Sequence, residues 1–132
     1  MNILHITNWY PNKLNSKESL FVKEHFYSCD NLVDQQLWHI QVRHEDALFK
    51  IHHGKYSANE QYIILDTKIQ QWRIVELLTL LLLLLLRIKL KLSHYTWNFV
   101  NVHIAYPLLR FPKLFKRLFG RQVVITEHWS AY

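Results

Sequence analysis

The stretch Gln70–Leu92, QQWRIVELLTLLLLLLLRIKLKL, decides what kind of molecule this is. Leucine dominates it, and neither Gly nor Pro interrupts it, so it predicts one long helix. Its apolar run, Leu77–Leu86, covers ten residues. A bilayer span needs roughly 20. Arg73 and Glu76 bound the run on one side, Arg87 and Lys89 on the other. The reading is a helix buried in a folded core, or one dipping partly into a membrane surface, and not a span.

Working towards the N-terminus, Leu48–Ile51 and Tyr62–Leu65 flank His53-Gly54 and a polar stretch. They read as a hairpin or as two irregular edge strands. Gln36–Arg43, anchored by Leu37, Ile40 and Val42, predicts a strand with imperfect alternation. Asn15 with Glu18 resembles a capping box. It would open a helix with Val22, Phe26, Cys29 and Val33 on one buried stripe. Asn2–Thr7 suits a buried strand, and Asn8–Lys17 a loop.

Towards the C-terminus, Phe99–Ile104 predicts another strand. Tyr106–Phe119 reads as a helix with a basic outer face. Pro107 fits its first turn, Pro112 should kink or split it, and Gly120 closes it. Gln122–Thr126 is a last, strongly apolar strand. Strands alternating with helices imply an α/β domain: a mainly parallel sheet with helices on both faces. With 132 residues, the chain makes one domain around one modest core. Ending just after a buried strand, residues 1–132 read as a truncated domain.

Half of the chain is hydrophobic, which argues against disorder. Cys29 is the only cysteine, so no intrachain disulfide can form and nothing calls for an oxidising compartment. Met1–Asn8 lacks the basic and apolar regions of a secretory signal, and the cytoplasm is the default. The net charge is +6, and Leu77–Thr126 contains no Asp or Glu. That stretch is either an ordinary solvated basic face or one drawn to phosphates or to anionic lipid on the inner face of a membrane. No nucleic-acid motif accompanies the charge, so no nucleic-acid partner is expected. No helical His-x-x-x-His pair faces a common ion, and neither a metal nor a cofactor is expected. Ser130 near His128 lacks the pattern of a nucleophile elbow.

Ligands of an open α/β sheet collect beyond the carboxyl ends of its strands. That rule selects three clusters: Asn8, Trp9 and Tyr10; His103, Tyr106 and Pro107; and Thr126, Glu127, His128, Trp129 and Ser130. All three should reach one rim. Their amides, hydroxyls, carboxylate and imidazoles can bond sugar hydroxyls or orient a proton transfer. Trp and Tyr offer flat faces to a sugar or an apolar carrier.

At these residues the chain resembles the N-terminal domain of glycosyltransferase family 4 enzymes. Met1–Lys13 followed by Leu20-Phe21-Val22-Lys23-Glu24-His25 is similar to that family's first strand, loop and helix. Val102-His103-Ile104-Ala105-Tyr106-Pro107 resembles its middle strand and turn. Val124–Tyr132 resembles the strand and loop that meet the substrate cleft. The segment between about Arg43 and Trp97 matches only in rough layout. The resemblance implies the N-terminal, Rossmann-like half of a GT-B fold. It implies a retaining transferase that moves a sugar from a nucleotide-sugar to an acceptor, which could be lipid-linked. The nucleotide would be held by a second domain that is not among these residues. By the same resemblance His128 lies beside the donor sugar, and Glu127 orients it or faces away. Trp9 and His103 line the acceptor side. Ser19 stands where many relatives carry glycine, and its side chain opposes close approach of backbone to phosphate. The other reading is a non-catalytic module that binds acceptor or docks on membrane through the leucine-rich helix and basic face.

Overall fold

A computed structural model describes residues 1–10, 20–28, 33–120 and 122–127. They form β1 (Asn2–Thr7), α1 (Leu20–Ser28), β2 (Asp34–His44), β3 (Lys50–Ser57), β4 (Glu60–Thr67), α2 (Trp72–Leu92), β5 (Phe99–His103), α3 (Pro112–Phe119) and β6 (Val123–Thr126). The fold is α/β, built on a six-stranded mixed sheet in the order β3-β4-β2-β1-β5-β6. β1 pairs in parallel with β2 and β5, β2 with β4, and β5 with β6. Only β3 and β4 are antiparallel. The turn at residues 58–59 joins them, and a connection that short permits no other pairing.

Of the two readings of the middle segment, the hairpin is the one found. Of its two strands β3 lies at an edge of the sheet, whereas β4 is paired on both sides. Gly54 sits opposite Tyr62 across this hairpin. A Cβ there would lie 2.8 Å from the Tyr62 hydroxyl, so the bare backbone is what lets the tyrosine ring cross it.

β2 is longer than the sequence pattern indicates, and Leu37, Trp38, His39 and Ile40 are buried in succession. Both of its faces are covered, which removes the alternation expected of a half-exposed strand.

α2 runs where the leucine pattern places it. Leu82, Leu83, Leu86 and Leu90 are buried against Leu4, Ile6, Ile40, Val100 and Val102 of the sheet. Each such buried leucine contributes about 2 kcal/mol relative to exposure. Phe115 and Phe119 of α3 join the same cluster. Among the described residues no helix is long and apolar enough to cross a membrane. A second cluster holds Tyr10, Val22, Phe26 and Leu37, with Tyr56 packed against it.

Three expectations need correction. The helix expected over Tyr106–Phe119 starts only at Pro112, which stands in its first turn. Proline there forfeits no hydrogen bond, and it bars the preceding residue from the helical region. Residues 106–109 form turns instead, and Gly120 ends α3 at φ +100°. The last strand is not buried: β6 is an edge strand with Val124 47% and Ile125 52% exposed. The stripe on α1 holds for Val22 and Phe26, but Val33 is not helical and leads into β2. Cys29 and the Asn15–Glu18 box lie outside the described residues.

Candidate functional site

β1 has β2 on one side and β5 on the other, and the chain reaches them by connections that run in opposite directions across the sheet. This is a topological switch point, and open α/β sheets bind ligands beyond the carboxyl ends of the strands there. Thr7, His103 and Thr126 are aligned in register across β1, β5 and β6. The residues that follow them therefore emerge side by side.

Hydrogen bonds tie these tips together. The Asn8 side-chain amide donates to the Tyr106 carbonyl at 3.3 Å. The Ile104 N–H donates to the Thr126 carbonyl at 2.9 Å. The Ala105 N–H donates to Glu127 Oε1 at 2.8 Å, and the Thr126 hydroxyl donates to Asn101 Oδ1 at 2.8 Å. The Thr7 hydroxyl turns the chain after β1 by bonding both backbone groups of Trp9.

Ile104 sits between these contacts at φ +68°. A β-branched residue in that region is strained by roughly 1–3 kcal/mol. The Glu127 carboxylate thus holds the chain just after a strained residue.

Not all candidates stand at the opening. Trp9 is half-buried and Tyr106 is 58% exposed, so both present ring surface at the rim. Asn8 is buried, and its Oδ1 accepts no hydrogen bond among the described residues. Tyr10 is fully buried below the rim, stacked on Tyr56 at 5.5 Å between ring centroids. Burial, with the nearby Glu60 charge second, pushes its phenol far above the ordinary value. His103 is also fully buried. Ser19, His128, Trp129 and Ser130 lie outside the described residues.

Beneath the rim runs a chain of polar side chains. The Gln35 amide nitrogen donates to the Phe26 carbonyl at 2.7 Å, so its oxygen faces His5 as an acceptor. His5 Nε2 therefore carries the proton that bonds Gln35 Oε1 at 2.9 Å. That leaves Nδ1 of His5 as the acceptor for His103 Nε2–H at 2.9 Å. The two imidazoles stack with centroids 5.1 Å apart, and His25 meets His103 edge-on at 5.3 Å. Burial pushes His5 down to about 4; the Gln35 bond opposes this and the His25 charge adds to it.

Towards β3, burial raises the Asp66 carboxyl, but bonds from Arg43 at 2.8 Å and His52 at 2.7 Å outweigh it. The net shift is downward.

Sequence reading found His103 but not His5, Gln35, Arg43 or Asp66. Each lies within a strand, and only the strand register brings it to its partners. Among the described residues no three His, Cys, Asp or Glu side chains are grouped to hold a metal ion. Set against family models, curated proteins and solved structures, the sequence and fold give no match.

Proposed function

We propose that this chain is the acceptor side of a retaining glycosyltransferase, a Rossmann-like N-terminal domain of the GT-B type with helices on both sheet faces. The observation that carries the reading is the joining of the β1, β5 and β6 tips at the switch point, through Asn8–Tyr106 and Ala105–Glu127. The resemblance to glycosyltransferase family 4 rests on those same three segments, and it supplies the chemistry. Asn8 offers a buried carbonyl oxygen that accepts no hydrogen bond among the described residues, and a sugar hydroxyl can donate one. Trp9 and Tyr106 offer ring faces for the apolar face of a pyranose. His128 is assigned to hydrogen bonding of donor-sugar hydroxyls.

Sugar transfer requires donor and acceptor held in register. These residues form one wall, and the nucleotide-sugar belongs to a second domain. The test is a nuclear magnetic resonance titration of the labelled chain with short oligosaccharides and with nucleotide-sugars. Oligosaccharides should shift the amides of Asn8, Ala105, Tyr106 and Glu127, and nucleotide-sugars should not. Shifts confined to other regions with every sugar would remove the reading. So would nucleotide release by this chain alone that His128→Ala abolishes, because one wall would then suffice.

A further inference from the structure

α2 is apolar on its outer side as well as on its inner one. Its inner leucines are in the core, yet Leu77, Leu81, Leu84, Ile88 and Leu92 are 37–74% exposed. Their spacing of three and four residues puts them on one stripe, about 22 Å long at the helical rise. A water-facing helix surface is ordinarily polar, and an apolar patch this long marks a contact site.

Charge says what the contact is. Arg73 lies four residues before Leu77 and Lys91 three after Ile88; both are exposed, so cations close the stripe at its two ends. Lys113, Lys116 and Arg117 are exposed on α3, which packs into the same core cluster through Phe115 and Phe119. The sole acid of α2, Glu76, is buried and ion-paired with Arg110 at 2.8 Å. No other Asp or Glu occurs between Trp72 and Thr126. Trp72, 54% exposed, lies under the Arg73 guanidinium at 5.1 Å. An aromatic ring with a cation suits the boundary between hydrocarbon and headgroup.

A second copy of this chain is a poor occupant. Pairing two stripes would bring the end cations and the α3 cations of both copies together, and like charges across an interface oppose association. We infer that the exposed α2 stripe, with Arg73 and Lys91 towards its two ends and further exposed cations on the neighbouring α3, docks this domain on an anionic lipid bilayer. The helix lies flat on the surface. It cannot sink further, because Leu82, Leu86 and Leu90 already hold the sheet. This inference is independent of the sugar-transfer reading.

The experiment is flotation of the 132-residue chain with phosphatidylcholine vesicles, with and without about one-third phosphatidylglycerol. The chain should float with the anionic vesicles and not with the neutral ones. Leu77→Gln/Leu81→Gln/Ile88→Gln should weaken binding roughly tenfold or more. Arg73→Gln/Lys91→Gln should weaken it roughly 25-fold, at about fivefold per cation. All replaced side chains are exposed, so the thermal midpoint should stay at the parent's, which separates lost docking from lost folding. Lys113→Gln/Lys116→Gln/Arg117→Gln gives an independent charge-only comparison on α3. The inference is overturned by parent chain that stays unbound on anionic vesicles, or by a leucine variant that floats as well as the parent. Equal flotation on neutral vesicles also overturns it. So does a dimeric parent that becomes monomeric in the leucine variant without ever binding vesicles, which would make the stripe a contact between copies.

Discussion

Nε2 of His103 lies 2.9 Å from Nδ1 of His5, with both rings buried and the second nitrogen of His5 committed to Gln35. In that arrangement His5 is neutral. A proton added to His5 would turn Nδ1 into a donor, and His103 would have to change tautomer for its Nε2 to accept it.

Stability should therefore depend on pH in a definite window. His5 is held at about 4 in the folded chain against an ordinary 6.5, and burial holds His39 at about 4 as well. The unfolded chain binds these protons first. The contribution is complete above about pH 6.5, and it is lost as pH falls towards 4, by about 3 kcal/mol per histidine. Urea unfolding followed across this range should show a falling free energy. His5→Asn should flatten roughly half of the slope; a profile unchanged by that substitution would contradict the assignment.

Gln35→Leu should be more costly than its conservative shape suggests. It removes the donor to the Phe26 carbonyl and the acceptor for His5 Nε2–H. Two buried groups are stranded, each at about 1–3 kcal/mol. Chemical denaturation should register a loss of at least the lower figure, and a neutral substitution would mean that water replaces both bonds.

Ile104→Gly should leave stability unchanged or raise it by about 1 kcal/mol, unlike most isoleucine deletions. The gain comes from relieving φ +68° at a β-branched residue. Removing its partly buried side chain works against that gain. A clear drop in thermal midpoint would show that packing, not backbone conformation, dominates there.

Gly54→Val should weaken the β3–β4 hairpin by about 1–3 kcal/mol, the usual cost of overpacking. The new Cβ would meet the Tyr62 hydroxyl at 2.8 Å and its ring at 3.1 Å. Tyr62 in turn packs against Tyr56, with ring centroids 4.7 Å apart and the planes tilted by 31°. Hydrogen exchange confined to residues 50–67 should accelerate; uniform acceleration over the whole sheet would place the damage elsewhere.

The elements with strong local signals were legible in the sequence. Leucine propensity locates α2 almost to the residue, and the alternation of elements puts Asn8, Tyr106 and Glu127 beyond the ends of strands that turn out to be neighbours. What escaped depends on register. His5 and His103 are 98 residues apart, and His5 and Gln35 are 30 apart, so neither pairing leaves a local pattern. β6 misled for a different reason: Val-Val-Ile-Thr reads alike whether a strand is central or at an edge. Pro112 was placed inside a helix because the apolar residues before it continue the helical spacing, while its backbone restriction starts the helix there instead.

The two borders of the sheet are unlike. β3 carries Lys50, His52, His53 and Lys55 along its length, and Lys50 and Lys55 discourage a further strand from adding there. β6 presents Val123, Val124 and Ile125, with nothing bonded to its outer side among the described residues. A concentrated solution of this chain should therefore grow from the β6 side, strand upon strand, and lysine in place of Val124 is the change that should keep it dispersed.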